Sequence, residues 1–84
     1  MQKKKAMPGN ETLTGIITPV QWDDHGQVTS VALSATDDEE YVIENGEKFI
    51  DLIQKSIEAT GNVKRDKKAF KSIFIKKFVV LEMF

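Results

Sequence analysis

Cysteine is absent from this 84-residue chain, histidine, tryptophan and tyrosine occur once each, and proline occurs twice. Without thiols there is neither a disulfide framework nor a thiolate metal site. Nucleophilic catalysis needs a base oriented by a third group, and His25 sits between Asp24 and Gly26 in turn-forming company, so it reads as an exposed turn histidine. The glycines at 9, 15, 26, 46 and 61 are dispersed, which leaves no phosphate-cradling loop. Asp23 and Asp24 lack EF-hand spacing, and the acidic run Asp37-Asp38-Glu39-Glu40 reads as a solvated turn. We expect a non-enzyme with no cofactor and no metal.

Long apolar runs are missing too. None approaches the roughly 20 residues of a membrane span, and Lys3-Lys4-Lys5 leads into Ala-Met-Pro-Gly-Asn rather than into a secretory apolar core. No membrane partner is expected, cytoplasmic residence is, and residues 1–10 read as a flexible tail before a single domain over 11–84. A chain of this length buries only about 60% of its unfolded surface, so barrel closure or self-association is the expected support for its thin core.

Charge is scarce in sum and uneven in place. The formal net charge is −1, yet residues 1–60 carry five lysines against eleven acids and residues 61–84 carry seven Lys or Arg against two acids. The basic end is concentrated in "GNVKRDKKAFKSIFIKKF", Gly61 to Phe78.

What is present is β-forming. Thr12 to Val20 is rich in β-branched residues, with Gly15 predicting a bulge or a bend at a barrel corner and Pro19 an irregular step. Trp22 to Gln27 predicts a hairpin turn. Strand two runs from Val28 to about Ala35 with Val31 and Leu33 on one face. Tyr41-Val42-Ile43 is a short third strand. Asn45 or Gly46 is placed to cap a helix from Glu47 to about Gln54, which groups Phe49, Leu52 and Ile53 on one side. Period two returns from Ser56 to Val63. After a turn at Lys64 to Lys68, the segment to Val80 fits both a helical stripe and a strand face, but its dense Ile-Phe-Ile and Phe-Val-Val steps would leave a helix apolar all round and favour a strand. On the strand reading Ile73, Ile75 and Val79 point inward and Phe74 and Phe78 outward.

Three strands, one short helix, then two strands is the order of the mainly β, five-stranded OB-like Greek-key barrel (β-β-β-α-β-β). Leu13-Thr14-Gly15, Tyr41-Val42-Ile43-Glu44-Asn45-Gly46 and Thr60-Gly61-x-Val63 followed by a hairpin resemble small stand-alone bacterial OB-fold proteins of unassigned function, over nearly the whole chain beyond the tail. The resemblance implies the barrel and a strand at the C-terminal segment; it implies no ligand.

OB barrels bind ligands across strands two and three, between the loops joining strands one to two and four to five. The candidate single-stranded nucleic-acid residues are therefore Trp22, Tyr41, Lys64, Arg65, Lys67, Lys68 and Lys71, with cations for phosphates and aromatic faces for bases. Against this, Asp23 and Asp24 put negative charge on the opposite lip, and lysines in a hairpin turn are usually only solvated. The alternative is a protein-binding or self-associating module: Phe74 and Phe78 as an outward aromatic pair sealing a homodimer or a protein interface, with the acidic turn Asp37–Glu40 and the basic turn Lys64–Lys68 complementing each other between copies.

Overall fold

A computed structural model describes residues 10–65 and 71–81. The strands are β1 (Asn10–Trp22), β2 (Val28–Ala35), β3 (Glu40–Ile43), β4 (Ser56–Arg65) and β5 (Lys71–Leu81), with a 3₁₀ helix η1 (Gly46–Leu52) between β3 and β4. They close into a barrel in the order β1-β2-β3-β5-β4, antiparallel at every seam except β3–β5. This is the five-stranded OB-like barrel that the order of elements predicts. Asn10, expected in the tail, opens β1; the rest of the tail lies outside the described residues. No described helix is long and apolar enough to cross a membrane.

β1 serves both halves of the barrel. Its first half pairs with β4 and its second with β2, and Gly15 takes part in both, opposite Ile57 on one side and Ala35 on the other. A Cβ at Gly15 would collide with the Ser34 carbonyl oxygen, so the bend is possible because that residue has no side chain. Near Pro19 the β1–β2 register slips, the irregular step expected there. The turn after β1 is held by Asp23, whose Oδ1 accepts from the amides of His25 (2.8 Å) and Gln27 (3.0 Å).

Alternate residues fill the interior: Ile17 on β1, Val31 and Leu33 on β2, Tyr41 and Ile43 on β3, Ile57, Ala59 and Val63 on β4, Ile73 and Ile75 on β5, with Phe49 of η1 among them. The helix is shorter and tighter than an α-helix from Glu47 to Gln54, and Phe49 is its one buried large side chain; Leu52 and Ile53 pack at the margin of the core. Nor does Asn45 cap it through its side chain. That amide turns instead to β5, where Nδ2 donates to the Ile75 carbonyl (2.8 Å) and Oδ1 accepts from the Ile75 N–H (3.0 Å).

The β4–β5 ladder slips between Thr60 and Gly61: Gly61 pairs with Ile75 and Thr60 with Lys77, leaving Lys76 as the extra residue of a bulge. Because side chains alternate with period two, one inserted residue exchanges the faces beyond it. The inward set on β5 is therefore Ile73 and Ile75 before the bulge, then Phe78, which lies opposite buried Ala59 and meets the Phe49 ring edge-on at 4.9 Å between centroids. This corrects the expectation that Val79 points inward and that Phe74 and Phe78 share an outer face. Phe74, opposite Asn62, faces out.

Candidate functional site

The basic residues that the hairpin brings toward the β2–β3 side meet acids there. Arg65, at the end of β4, is held in a two-pronged ion pair by Glu11 of β1, with Nη2 3.0 Å from Oε1. The same Nη2 donates to the Tyr41 hydroxyl at 3.1 Å, and Tyr41 donates to Asp37 Oδ2 at 2.8 Å. The guanidinium carbon also stands 5.5 Å from the centre of the Tyr41 ring. Lys71 Nζ lies 3.1 Å from Glu39, and Lys64 Nζ 3.6 Å from Glu44, which also accepts from the Ser72 hydroxyl at 2.7 Å.

These contacts shift protonation in the direction that their geometry dictates. The Arg65 guanidinium holds the Glu11 carboxyl below its ordinary value, and the hydrogen bond from Tyr41 does the same for Asp37. Burial, joined by the hydrogen bond to Asp37, raises the Tyr41 phenol. Arg65 is held more firmly protonated by its hydrogen bonds to Glu11 and Tyr41.

The seven nucleic-acid candidates therefore fall into three groups. Lys64, Arg65 and Lys71 are each paired with an acid from elsewhere in the chain, Glu44, Glu11 and Glu39 in turn. Tyr41 is 1% exposed, with its ring in the core and its hydroxyl in the network; it offers no face for a base. Trp22 stands apart at the end of β1, 57% exposed. Lys67 and Lys68 lie outside the described residues. Among the described residues, no group of three His, Asp or Glu side chains is arranged to hold a metal ion.

A second surface lies on the outside of the β1–β4–β5 sheet. The registers set its rows: Ile16, Ser56 and Leu81; Thr14, Glu58 and Val79; Thr12, Thr60 and Lys77; Asn10, Asn62 and Phe74. A groove opens in its middle, lined by Thr12, Glu58, Thr60, Lys77, Phe78 and Val79. The Thr12 and Thr60 hydroxyls meet at 2.8 Å across its floor. Val79 is 59% exposed, Ile16 45% and Phe74 44%. Of the expected interface residues, then, Phe74 belongs to this face, whereas Phe78 borders the groove with its ring turned toward Phe49. Reading the sequence missed Val79, Ile16, Glu58 and Lys77, because the bulge that turns Val79 outward leaves no mark on the local alternation beyond the adjacent pair Lys76-Lys77.

The fold and its surface define a small OB-like barrel with ion pairs at Lys64, Arg65 and Lys71 on one flank and an outer face that mixes threonine and exposed apolar side chains with Glu58 and Lys77. In comparisons with protein families, curated proteins and solved structures, none matches the chain.

Proposed function

We propose that the chain is a non-enzymatic, protein-binding domain, akin to small stand-alone OB-fold proteins of the bacterial cytoplasm, that docks its partner on the outer face of β1, β4 and β5. The observation that carries this reading is Val79, the most exposed large apolar side chain among the described residues, placed on a groove between Glu58 and Lys77. The threonine and β-branched aliphatic side chains of this face lose little conformational entropy when covered, and its exposed apolar groups gain from leaving water. Lys64, Arg65 and Lys71 are already matched by acids, which lowers the electrostatic return from a polyanion.

The test is a photo-cross-linking side chain at Val79, with exposed Asp51 of η1 as the control position, in extracts of the source cells. Protein adducts from Val79 and none from Asp51 are expected. Absence of adducts from Val79 overturns the reading.

Single-stranded nucleic acid is the second reading, favoured by exposed Trp22 at the mouth of the β1–β2 turn. An amide-shift titration with a single-stranded oligonucleotide tests it: perturbations at Trp22–Gln27 and Lys64–Lys71 that weaken with salt would support it, and none at high oligonucleotide concentration would discard it.

A further inference from the structure

The outer face of β1, β4 and β5 matches itself. Glu58 and Lys77 are diagonal neighbours on it, one on β4 and the other on β5, with Thr60 and Val79 on the crossing diagonal. Among the described residues neither Glu58 nor Lys77 is engaged in an ion pair. We infer that the occupant of this face is a second copy of the chain, packed sheet on sheet about a two-fold axis that lies in the interface and runs along the Thr60–Val79 diagonal. The inference rests on the protein-binding reading above and adds the partner to it.

The geometry follows from the symmetry. In a two-fold contact the same patch is used by both copies, so a residue that meets another must be met by it in return. An in-plane axis bisecting the line from Glu58 to Lys77 brings each Glu58 over the other copy's Lys77, which makes two ion pairs from one acid and one base. Residues on the axis meet themselves: Val79 packs on Val79, and Thr60 on Thr60. An axis that superposed like charges would instead bring two acids or two bases together, so among arrangements that cover both charges the pattern favours the one that crosses them. Sheets packed face to face stand about 10 Å apart, with their side chains interleaved. Val79 and Ile16 have the β-branched shape that fills such a layer, and Phe74 closes one end of it.

The size of the face sets the strength. Three strands about 4.8 Å apart, over seven residues about 3.3 Å apart, cover roughly 300 Å² in projection, well below the ~800 Å² per partner of a standard interface. A contact of this size is to be sought at protein concentrations from about 10 µM to about 1 mM, where free energies of association of about −7 to −4 kcal/mol register.

The experiment is sedimentation equilibrium across that range on the full chain and on three variants, Glu58→Lys, Lys77→Glu and the double exchange. All the changes are at exposed strand positions, and the mixing step reports on folding as well as contact. Glu58→Lys places lysine over lysine and Lys77→Glu places glutamate over glutamate; each is expected to weaken self-association at least about tenfold, as the loss of complementary charge does at interfaces. The double exchange restores it. An equimolar mixture of the two single variants forms a heterodimer, because one copy then brings two bases and the other two acids. Single variants that dimerise as the unmodified chain does overturn the inference, as does a mixture that stays monomeric. The Val79 photo-adducts separate the two levels of failure: a monomeric chain whose Val79 adducts have a mass other than twice its own keeps the protein-binding reading and loses the second copy, and a monomeric chain without adducts loses both.

Discussion

The side-chain amide of Asn45 occupies the place of a missing strand residue opposite Ile75, giving and taking one hydrogen bond with its backbone at 2.8 and 3.0 Å. The β3–β5 pairing consists of Val42 with Ser72 and Ile43 with Ile73, and the Glu44 amide donates to Ile73 at 2.8 Å. There β3 ends. Without Asn45 the Ile75 N–H and carbonyl, beside a buried side chain, would face a gap in the barrel wall. Replacing Asn45 with alanine is expected to cost about 1–3 kcal/mol, the penalty for leaving buried polar groups unmatched. Urea denaturation with an unchanged slope and a lowered midpoint is the expected record. A loss below about 0.5 kcal/mol, the range of ordinary surface substitutions, would show that the pair does not close this seam.

The chain of contacts from Glu11 through Arg65 and Tyr41 to Asp37 makes stability depend on pH in two opposite senses. Glu11 and Asp37 are held below their ordinary values by Arg65 and Tyr41. Between the depressed value and the ordinary one near 4, the unfolded chain binds more protons, so their contribution is complete above about pH 4 and is lost as pH falls through the folded values. Tyr41 is raised, chiefly by burial. Its contribution is complete below the ordinary phenol value of about 10 and is lost as pH rises through the raised one. In Tyr41→Phe the alkaline loss should vanish, and the acid loss should become shallower because Asp37 has lost its donor while Glu11 keeps Arg65. Urea midpoints followed across both limbs check this. An acid limb as steep as in the unmodified chain would remove Asp37 from the account.

Arg65 tests whether the basic hairpin is there for structure or for a ligand. Its guanidinium is shared between Glu11 and Tyr41, in a pair that is partly exposed and so screened by solvent. Arg65→Gln should lower stability by up to about 1 kcal/mol, the range of a solvent-accessible pair. Affinity for a single-stranded oligonucleotide should not change. If affinity falls and its salt dependence flattens while the urea midpoint stays put, the arginine serves a phosphate, and the nucleic-acid reading gains at the expense of the protein-binding one.

The parts of the fold written in local pattern were legible. Val31 and Leu33 alternate with Ser30, Ala32 and Ser34 through the middle of β2. Gly15 lies where two strands flank a bend, and the element order alone gave the barrel. The parts that depend on partners distant along the chain were not legible. Tyr41 reads as an exposed aromatic until its hydroxyl is found between Asp37 and an arginine 24 residues away. Asn45 reads as a helix cap because its partner lies 30 residues downstream. The charge runs do not reveal their partners either, and only the closed barrel brings Glu39 to Lys71 and Glu44 to Lys64. The outer face was lost for a smaller reason: a single extra residue at Lys76, which periodicity cannot register.

That extra residue makes the two phenylalanines of β5 unequal, although alternation would treat them alike. Phe78 is 41% exposed, but the buried part of its ring rests on Phe49 at the open end of the core. Phe74 pairs with Asn62 on the outer face. Truncating Phe78 to alanine removes an edge-to-face aromatic contact and its share of burial, an expected loss of about 1–2 kcal/mol. Phe74→Ala uncovers no core and should cost less than about 0.5 kcal/mol in the dilute monomer, the range of surface substitutions. Thermal and urea unfolding of the two variants at low protein concentration gives the comparison. The order matters more than either value: if Phe74→Ala is the more damaging change, β5 runs in the other phase, Val79 turns into the core, and the outer face loses the side chain on which its binding role rests.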